Sequence, residues 1–408
     1  MEIRIIKDIT IFDDFVKNSP YVHYMKTSMW AKVKKSQGFK AHYIGFYLND
    51  ELIGTALGLE NNYLHSRYLY VPNGMCIDYE NQELLVNCLN LLKAYAAKLH
   101  LTFLRIDPNV QRCPRDILGN QLPGFDHDNI TQAIIANGFV HKGYNFAYDG
   151  SWYNRYSLAI DLSDDITNIK KRFNKQKINS LNRHQIIGLT THIGNAQDLP
   201  YLSEFEKQLS SIQGFKPNKI AYFKNILDAF GKYARLYVTT LDIQTMIDGL
   251  QTELNSKKYA KDPEAKAAKE KELAKALQLK TQYKNNEIVI ACGLFLFYGH
   301  KSWDLYTYNH KDFNYLKPVD NLHWFAINDL KANGVTFYDM CGFSGFTNKD
   351  DPHYGLYNYK RSFGSTFIEN IGEFDMIYKP WQYKLFKKEK VLSYHFHHRI
   401  NAMRYKQK

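Results

Sequence analysis

Hydrophobic and polar residues follow a short-period pattern along "HYIGFYLNDELIGTALGLE" (42–60), interrupted by Asn49-Asp50. Such a pattern around an Asn-Asp pair predicts two strands joined by a tight turn. "RYLYV" (67–71) predicts the next strand. "NQELLVNCLNLLKAYAAKLH" (81–100) changes to helical spacing and predicts a long amphipathic helix, followed by the β-rich "LTFLRIDPN" (101–109). The same order returns in the second half. "ARLYVTTL" (234–241) and "EIVIACGLFLFY" (287–298) are the arms of a hairpin, and "SWDLYTY" (302–308) is a strand. "PVDNLHWFAINDLKANG" (318–334) reads as a helix and "VTFYDM" (335–340) as the strand after it. Two copies of one α/β domain are therefore expected, over 1–150 and 151–380, with 381–408 as a basic tail.

Hairpin, strand, helix, strand is also the order of an N-acyltransferase domain of the GNAT type, so the repeat resembles a tandem pair of those. In the second copy, residues 243–287 replace the hairpin turn. Ile243, Ile247, Leu250 and Leu254 have a 4-3-4 spacing that predicts a coiled-coil seam. "KDPEA" (261–265) supplies a turn whose proline suits the start of a helix, and the Ala-, Leu-, Glu- and Lys-rich stretch after it predicts that helix. An antiparallel helical arm inserted in the second domain is the expectation.

Composition narrows the partners. The 408-residue chain carries a formal net charge of +12, which favours polyanions such as nucleic acid, nucleotides or an anionic membrane surface. Cys76, Cys88, Cys113, Cys292 and Cys341 are scattered and contain no C-x-x-C pair, which predicts neither a disulfide framework nor a metal site and suits a reducing cytoplasm. The opening "MEIRIIKDITIFDDF" lacks the apolar core of a signal peptide, and no apolar run approaches membrane-spanning length. A cytoplasmic protein with at most peripheral membrane contact is expected. The histidine cluster "YHFHHR" (394–399) has no carboxylate partner and belongs to the basic tail. P-loop, G-x-G-x-x-G and G-x-S-x-G motifs are missing, which leaves NTPase, dehydrogenase and hydrolase readings without support. The closest approach to a CoA-binding run, Arg361-Ser-Phe-Gly364-Ser-Thr366, precedes a predicted strand instead of opening a helix, so CoA is not the expected donor and no cofactor is implied.

Several stretches together resemble the FemABX aminoacyltransferases, which build the interpeptide bridge of peptidoglycan from aminoacyl-tRNA. They are "MKTSMWAKVKKSQGF", "YLYVPNGMCIDY", "LRIDPN", "GYNFAYD", the arm, and "GFSG…YGLYNYKRSFG…IENIGEFD". The most specific is Gly355-Leu-Tyr-Asn-Tyr359-Lys360-Arg361-Ser-Phe363, which matches the family's Gly-x-x-x-F-K-x-x-F pattern. The resemblance implies two GNAT-like domains, the first holding the peptidoglycan precursor and the second facing the tRNA. The sequence departs from the family at Pro72-Asn73-Gly74-Met75 and in "NKQKINSLNRHQ" (174–185), where the family's phosphate-binding arginine is displaced or replaced and Lys175, Lys177 and Arg183 are the candidates for its place.

The implied reaction is attack of a stem-peptide amine on the ester of aminoacyl-tRNA. It requires loss of a proton from an ammonium and stabilisation of a tetrahedral oxyanion. The resemblance assigns the stabilising cation to Lys360, expected on a late strand with Tyr359 and Arg361 turned to the opposite face. It assigns the precursor's diphosphate to Lys34, with Trp30 one helical turn away. Asp107 follows a predicted strand, where it either holds a peptide ammonium or amide or caps the following turn, and Tyr70 is a further candidate substrate contact. The arm and basic tail favour lipid II over UDP-MurNAc-pentapeptide as acceptor. The competing reading is a non-catalytic RNA- or membrane-binding protein on the same scaffold, and an acyltransferase with another activated donor lies between the two. A pure binder has no need of the Lys360 motif.

Overall fold

The computed structural model describes residues 1–146, 151–256, 259 and 262–389. The "YHFHHR" cluster and the rest of 390–408 lie outside the described residues. The strands are β1 (Glu2–Ile5), β2 (Lys40–Leu48), β3 (Glu51–Tyr63), β4 (Ser66–Val71), β5 (Phe103–Ile106), β6 (Val140–His141) and β7 (Tyr156–Asp161). They continue as β8 (Leu189–Ile193), β9 (Ala234–Asp242), β10 (Glu287–Tyr298), β11 (Lys301–Asn309), β12 (Phe337–Gly342), β13 (Thr366–Glu369) and β14 (Phe374–Ile377). They make two seven-stranded sheets, ordered β1-β2-β3-β4-β5-β14-β6 and β13-β7-β12-β11-β10-β9-β8.

The predicted repeat is present. Hairpin β2–β3 turns at Asn49 and Asp50, whose φ values of 50° and 64° are the left-handed pair that a two-residue hairpin loop requires. Helix Gln82–Lys98 then links β4 to β5, which run parallel. In the second sheet, β9–β10 is the hairpin and helix Pro318–Ala332 links the parallel strands β11 and β12. Each linking helix turns a face with apolar residues at helical spacing onto its sheet, Leu85, Leu89, Leu92 and Ala96 in one and Leu322, Ala326, Ile327 and Leu330 in the other.

Three expectations change. The boundary at 380 places 374–377 in the second domain, but β14 pairs with β5 and β6 in the first sheet. The reason is electrostatic as well as geometric. Arg105 on β5 is buried, and Asp375 on β14 accepts two of its N–H groups at 2.7 Å, with Glu373 at 3.2 Å. Residues 380–389, of which 381–389 were expected to belong to the tail, form a helix that buries Tyr383 and Phe386 against Phe103.

The arm is present as helices Ile243–Leu254 and Pro263–Gln282, with Pro263 at the first turn and Asp262 as N-cap. Its seam differs from the expected one, because Ile243, Met246, Ile247 and Leu250 are buried while Leu254 is only partly so. These residues pack on Ala276 and Leu279 of the second arm helix, and also on Ile187, Leu241, Phe313 and Leu316 of the domain. The base of the arm is therefore part of the core.

The halves share one further core. Tyr24 and Trp30 from the first half meet Phe230, Leu236 and Trp303 from the second. The Tyr298 hydroxyl donates to the Asp13 carbonyl at 2.9 Å, and Lys301 Nζ donates to the Pro20 carbonyl at 3.1 Å.

Candidate active site

The largest departure from the expected local structure lies at the candidate site. "YGLYNYKR" is the helix Tyr354–Arg361, not a strand. Aromatic residues favour strands as a prior, but here tertiary burial sets the period: Tyr357 and Lys360, three apart, face inward.

Strands β11 and β12 pair only from Lys301↔Phe337 to Trp303↔Asp339 and then separate. A cleft of about 450 Å³ opens in that fork, lined among others by Asp304 and Thr307 of β11, Met340 of β12, and Tyr359 and Lys360 of the helix. At the fork β12 bulges, since its register with β7 shifts between Asp339 and Gly342. Cys341 there has φ 62°, a conformation costly for a residue with a Cβ. The bulge turns two successive carbonyls toward the cleft, where they accept from Lys360 Nζ at 2.9 Å (Cys341) and 2.8 Å (Gly342). An ammonium has three N–H donors, so one is left without a partner among the described residues. Burial pushes the Lys360 ammonium down from its usual range, while Asp304 and Asp339 act in the other direction.

Asp304 and Asp320 are the two acids that line the cleft among the described residues, and Asp304 is the one on β11. Its carboxylate accepts from the Thr307 hydroxyl at 2.6 Å and lies 3.6 Å from His323 Nε2. His323 Nδ1 is 2.6 Å from the Tyr338 hydroxyl. Burial raises Asp304 to about 6 against the opposing pull of Thr307 and Lys360, and it holds His323 well below the usual imidazole range. The cleft thus joins a neutral imidazole, a carboxyl that titrates near neutrality and a fixed ammonium.

Lys177 also lines the cleft, from helix Lys175–Ile186. It is buried in an ion pair with Asp320 and sits 4.1 Å from the ring centres of Tyr359 and Phe363. Tyr359 therefore shares the cleft with Lys360, where the strand reading had it facing away.

The remaining predicted residues lie elsewhere. Arg361 does not line the cleft; its guanidinium lies over the Tyr357 ring and donates to Asn358 at 3.0 Å. Lys175 is exposed outside the cleft, and Arg183 pairs with Glu272 of the arm, which removes it as a ready phosphate ligand. Asp107 is buried and internally satisfied, accepting from the Tyr70 hydroxyl at 2.5 Å and the Asn73 amide at 2.6 Å. Lys34 lies on helix Ser28–Lys35, 4.8 Å from the Trp30 ring, and donates to Gln37. Burial lowers it to about 8.

Asp304, His323 and Asp320 were not expected. A carboxylate within the aromatic strand "WDLYTY" and a histidine on the apolar face of "NLHWFAIN" are the signals that would have found them. Lys26 is a further unexpected group. Fully buried, it donates to the Tyr21 and Met75 carbonyls and to Asn109 at 2.7–3.1 Å.

A tandem pair of α/β units, each with a helix linking two parallel strands and the second with a cleft in their fork, defines the GNAT-like fold class. The chain belongs to the FemAB family, whose model matches residues 8–390. It is 28% identical to the lipid II:glycine glycyltransferase of Staphylococcus aureus (strain MRSA252) over 93% of each chain, and to that of strain NCTC 8325 to the same extent. Among solved structures it is similar to FemX, with a TM-score of 0.77 and 25% identity, covering 94% of this chain and 99% of that one.

Proposed function

We propose that the protein transfers an amino acid from aminoacyl-tRNA to the stem peptide of lipid II, beginning or extending the interpeptide bridge of peptidoglycan. The observation that carries this reading is the Lys360 ammonium, two of whose three donors are held by the Cys341 and Gly342 carbonyls at the open fork. The staphylococcal relatives are named as lipid II:glycine glycyltransferases, which makes lipid II the acceptor and glycine the amino acid to test first.

In this mechanism the stem-peptide amine attacks the ester carbonyl of the charged tRNA. The remaining N–H of Lys360 donates to the oxyanion as it forms, an interaction stronger in the transition state than in the ground state. Asp304 takes the proton released by the attacking nitrogen and returns it to the ribose oxygen as the C–O bond breaks. Lys177 and Tyr359 position the aminoacyl end beside it. Lys34 holds the acceptor's diphosphate, and the net charge of +12 attracts the tRNA. The reaction takes place at the cytoplasmic face of the membrane. The protein meets that face by peripheral contact; among the described residues no helix is long and apolar enough to cross a membrane.

The test mixes purified protein, lipid II and tRNA charged with each amino acid in turn, and weighs the product by mass spectrometry. A gain of one or more amino-acid residues, dependent on charged tRNA, is expected. No gain with any charged tRNA overturns the reading. Donor binding should weaken steeply between low and physiological salt, as counterion release demands.

A further inference from the structure

The helix over 380–389 has two faces. Gln382, Tyr383 and Phe386 point inward; the Gln382 backbone carbonyl accepts from the Ser66 hydroxyl at 3.2 Å, and Phe386 packs on Tyr63. Trp381, Lys384, Leu385 and Lys388, spaced three, one and three apart, make the outward face. On that face Trp381 is 87% exposed and Leu385 40%. Beside it lies the turn between β3 and β4, tied to the helix through His65 and Glu389 at 2.9 Å. The tip of that turn is Leu64, 70% exposed at φ 48°. A leucine in left-handed backbone, turned into water, has no folding advantage over asparagine or glycine.

We infer that Leu64, Trp381 and Leu385, rimmed by Lys384, Lys387 and Lys388, form the surface by which the protein docks on an anionic phospholipid bilayer. Indole and leucine side chains on a lysine-bearing helix suit the boundary between headgroups and acyl chains. Charge complementarity fixes the sign of the partner. Glu389, the acid of the helix, is turned to His65, and the sequence that follows, 390–408, adds five Lys or Arg and no Asp or Glu. Nucleic acid would use the tryptophan and the lysines but gains nothing from two exposed leucines. The inference gives the proposed lipid-linked acceptor a place of encounter and rests on that reading only for its purpose.

Vesicle flotation in the absence of lipid II tests it. Full-length protein should float with phosphatidylglycerol vesicles and stay behind with phosphatidylcholine vesicles. Trp381→Ser with Leu385→Ser should lower binding at least tenfold, Leu64→Asn severalfold, and Lys384→Glu with Lys387→Glu and Lys388→Glu at least tenfold. All these side chains point outward, so thermal melts should stay unchanged, and a short-chain, water-soluble acceptor should be used as well as before. Wild-type protein that does not float overturns the inference, as do variants that float equally well. Variants that lose tRNA binding and keep vesicle binding overturn it too, assigning the face to RNA. If wild-type protein floats but transfers nothing to the soluble acceptor, the proposed reaction falls and the docking surface stands.

Discussion

Lys360 is held by two carbonyls, with its third donor unpartnered among the described residues, so under the proposed mechanism its removal should be felt when charge develops and hardly before. Lys360→Met is expected to lower kcat on the order of a hundredfold or more with KM little changed. Arg361→Met should cost far less, since Arg361 stacks outside the cleft on Tyr357, about 100° around the helix from its neighbour. Steady-state kinetics on folded variants decides this; equal losses at the two positions would remove Lys360 from its role. Asp304 supplies a pH signature. With its carboxyl raised to about 6, the form that accepts a proton is populated above that pH, so kcat/KM should climb as pH rises through about 6. In Asp304→Asn the profile should be low and without that limb. The lysine was legible from the Gly355…Phe363 pattern. Its partners were not, because they come from β11, the β12 bulge and helix Pro318–Ala332, which only the folded sheet brings together.

Elements whose burial repeats with a fixed period could be read from the chain, as both hairpins and both linking helices were. Helix Tyr354–Arg361 could not, because its tyrosines serve two different surroundings: Tyr357 sits in a cluster with Phe343 and Phe367, and Tyr359 at the cleft. The arm lies between these cases. Its helices follow from composition, but the depth to which it is rooted depends on residues 187, 313 and 316, far away in sequence. Replacing 244–286 by a short turn should therefore destabilise the second domain. Met246, Ile247 and Leu250 alone contribute burial of roughly 1.5–3 kcal/mol each. Removing only 255–268 should leave the melting temperature within a few degrees. Gly249→Ala is a finer probe. The arm helix passes so close to the Ile186 carbonyl that a Cβ at 249 would collide with it, and a clear drop in Tm is expected despite alanine's better helix propensity. An unchanged melt would show the arm to be loosely attached.

At the scale of the molecule, the two halves are joined by more than a linker. Tyr24 and Trp30 pack with Phe230 and Trp303, and the first sheet is completed by a strand that arrives after the second. A fragment of residues 1–150 should not reach a native state. It lacks β14, leaves β5 as an open edge and strands the buried Arg105 without Asp375 and Glu373, and an unpaired buried charge costs several kcal/mol. Circular dichroism and melting of the fragment check this, and a cooperative transition like that of the full chain would contradict it. The same thread governs synthesis. A ribosome delivers the chain from its N-terminus at about 5–20 residues per second, so β5 waits on the order of tens of seconds before its neighbour emerges. Through that interval the nascent first half presents an unsealed strand to every passing chain, the situation in which holding chaperones earn their place. Translation arrested before residue 374 should leave the first half open to protease, and protection should appear in one step once residues up to about 390 have cleared the exit tunnel.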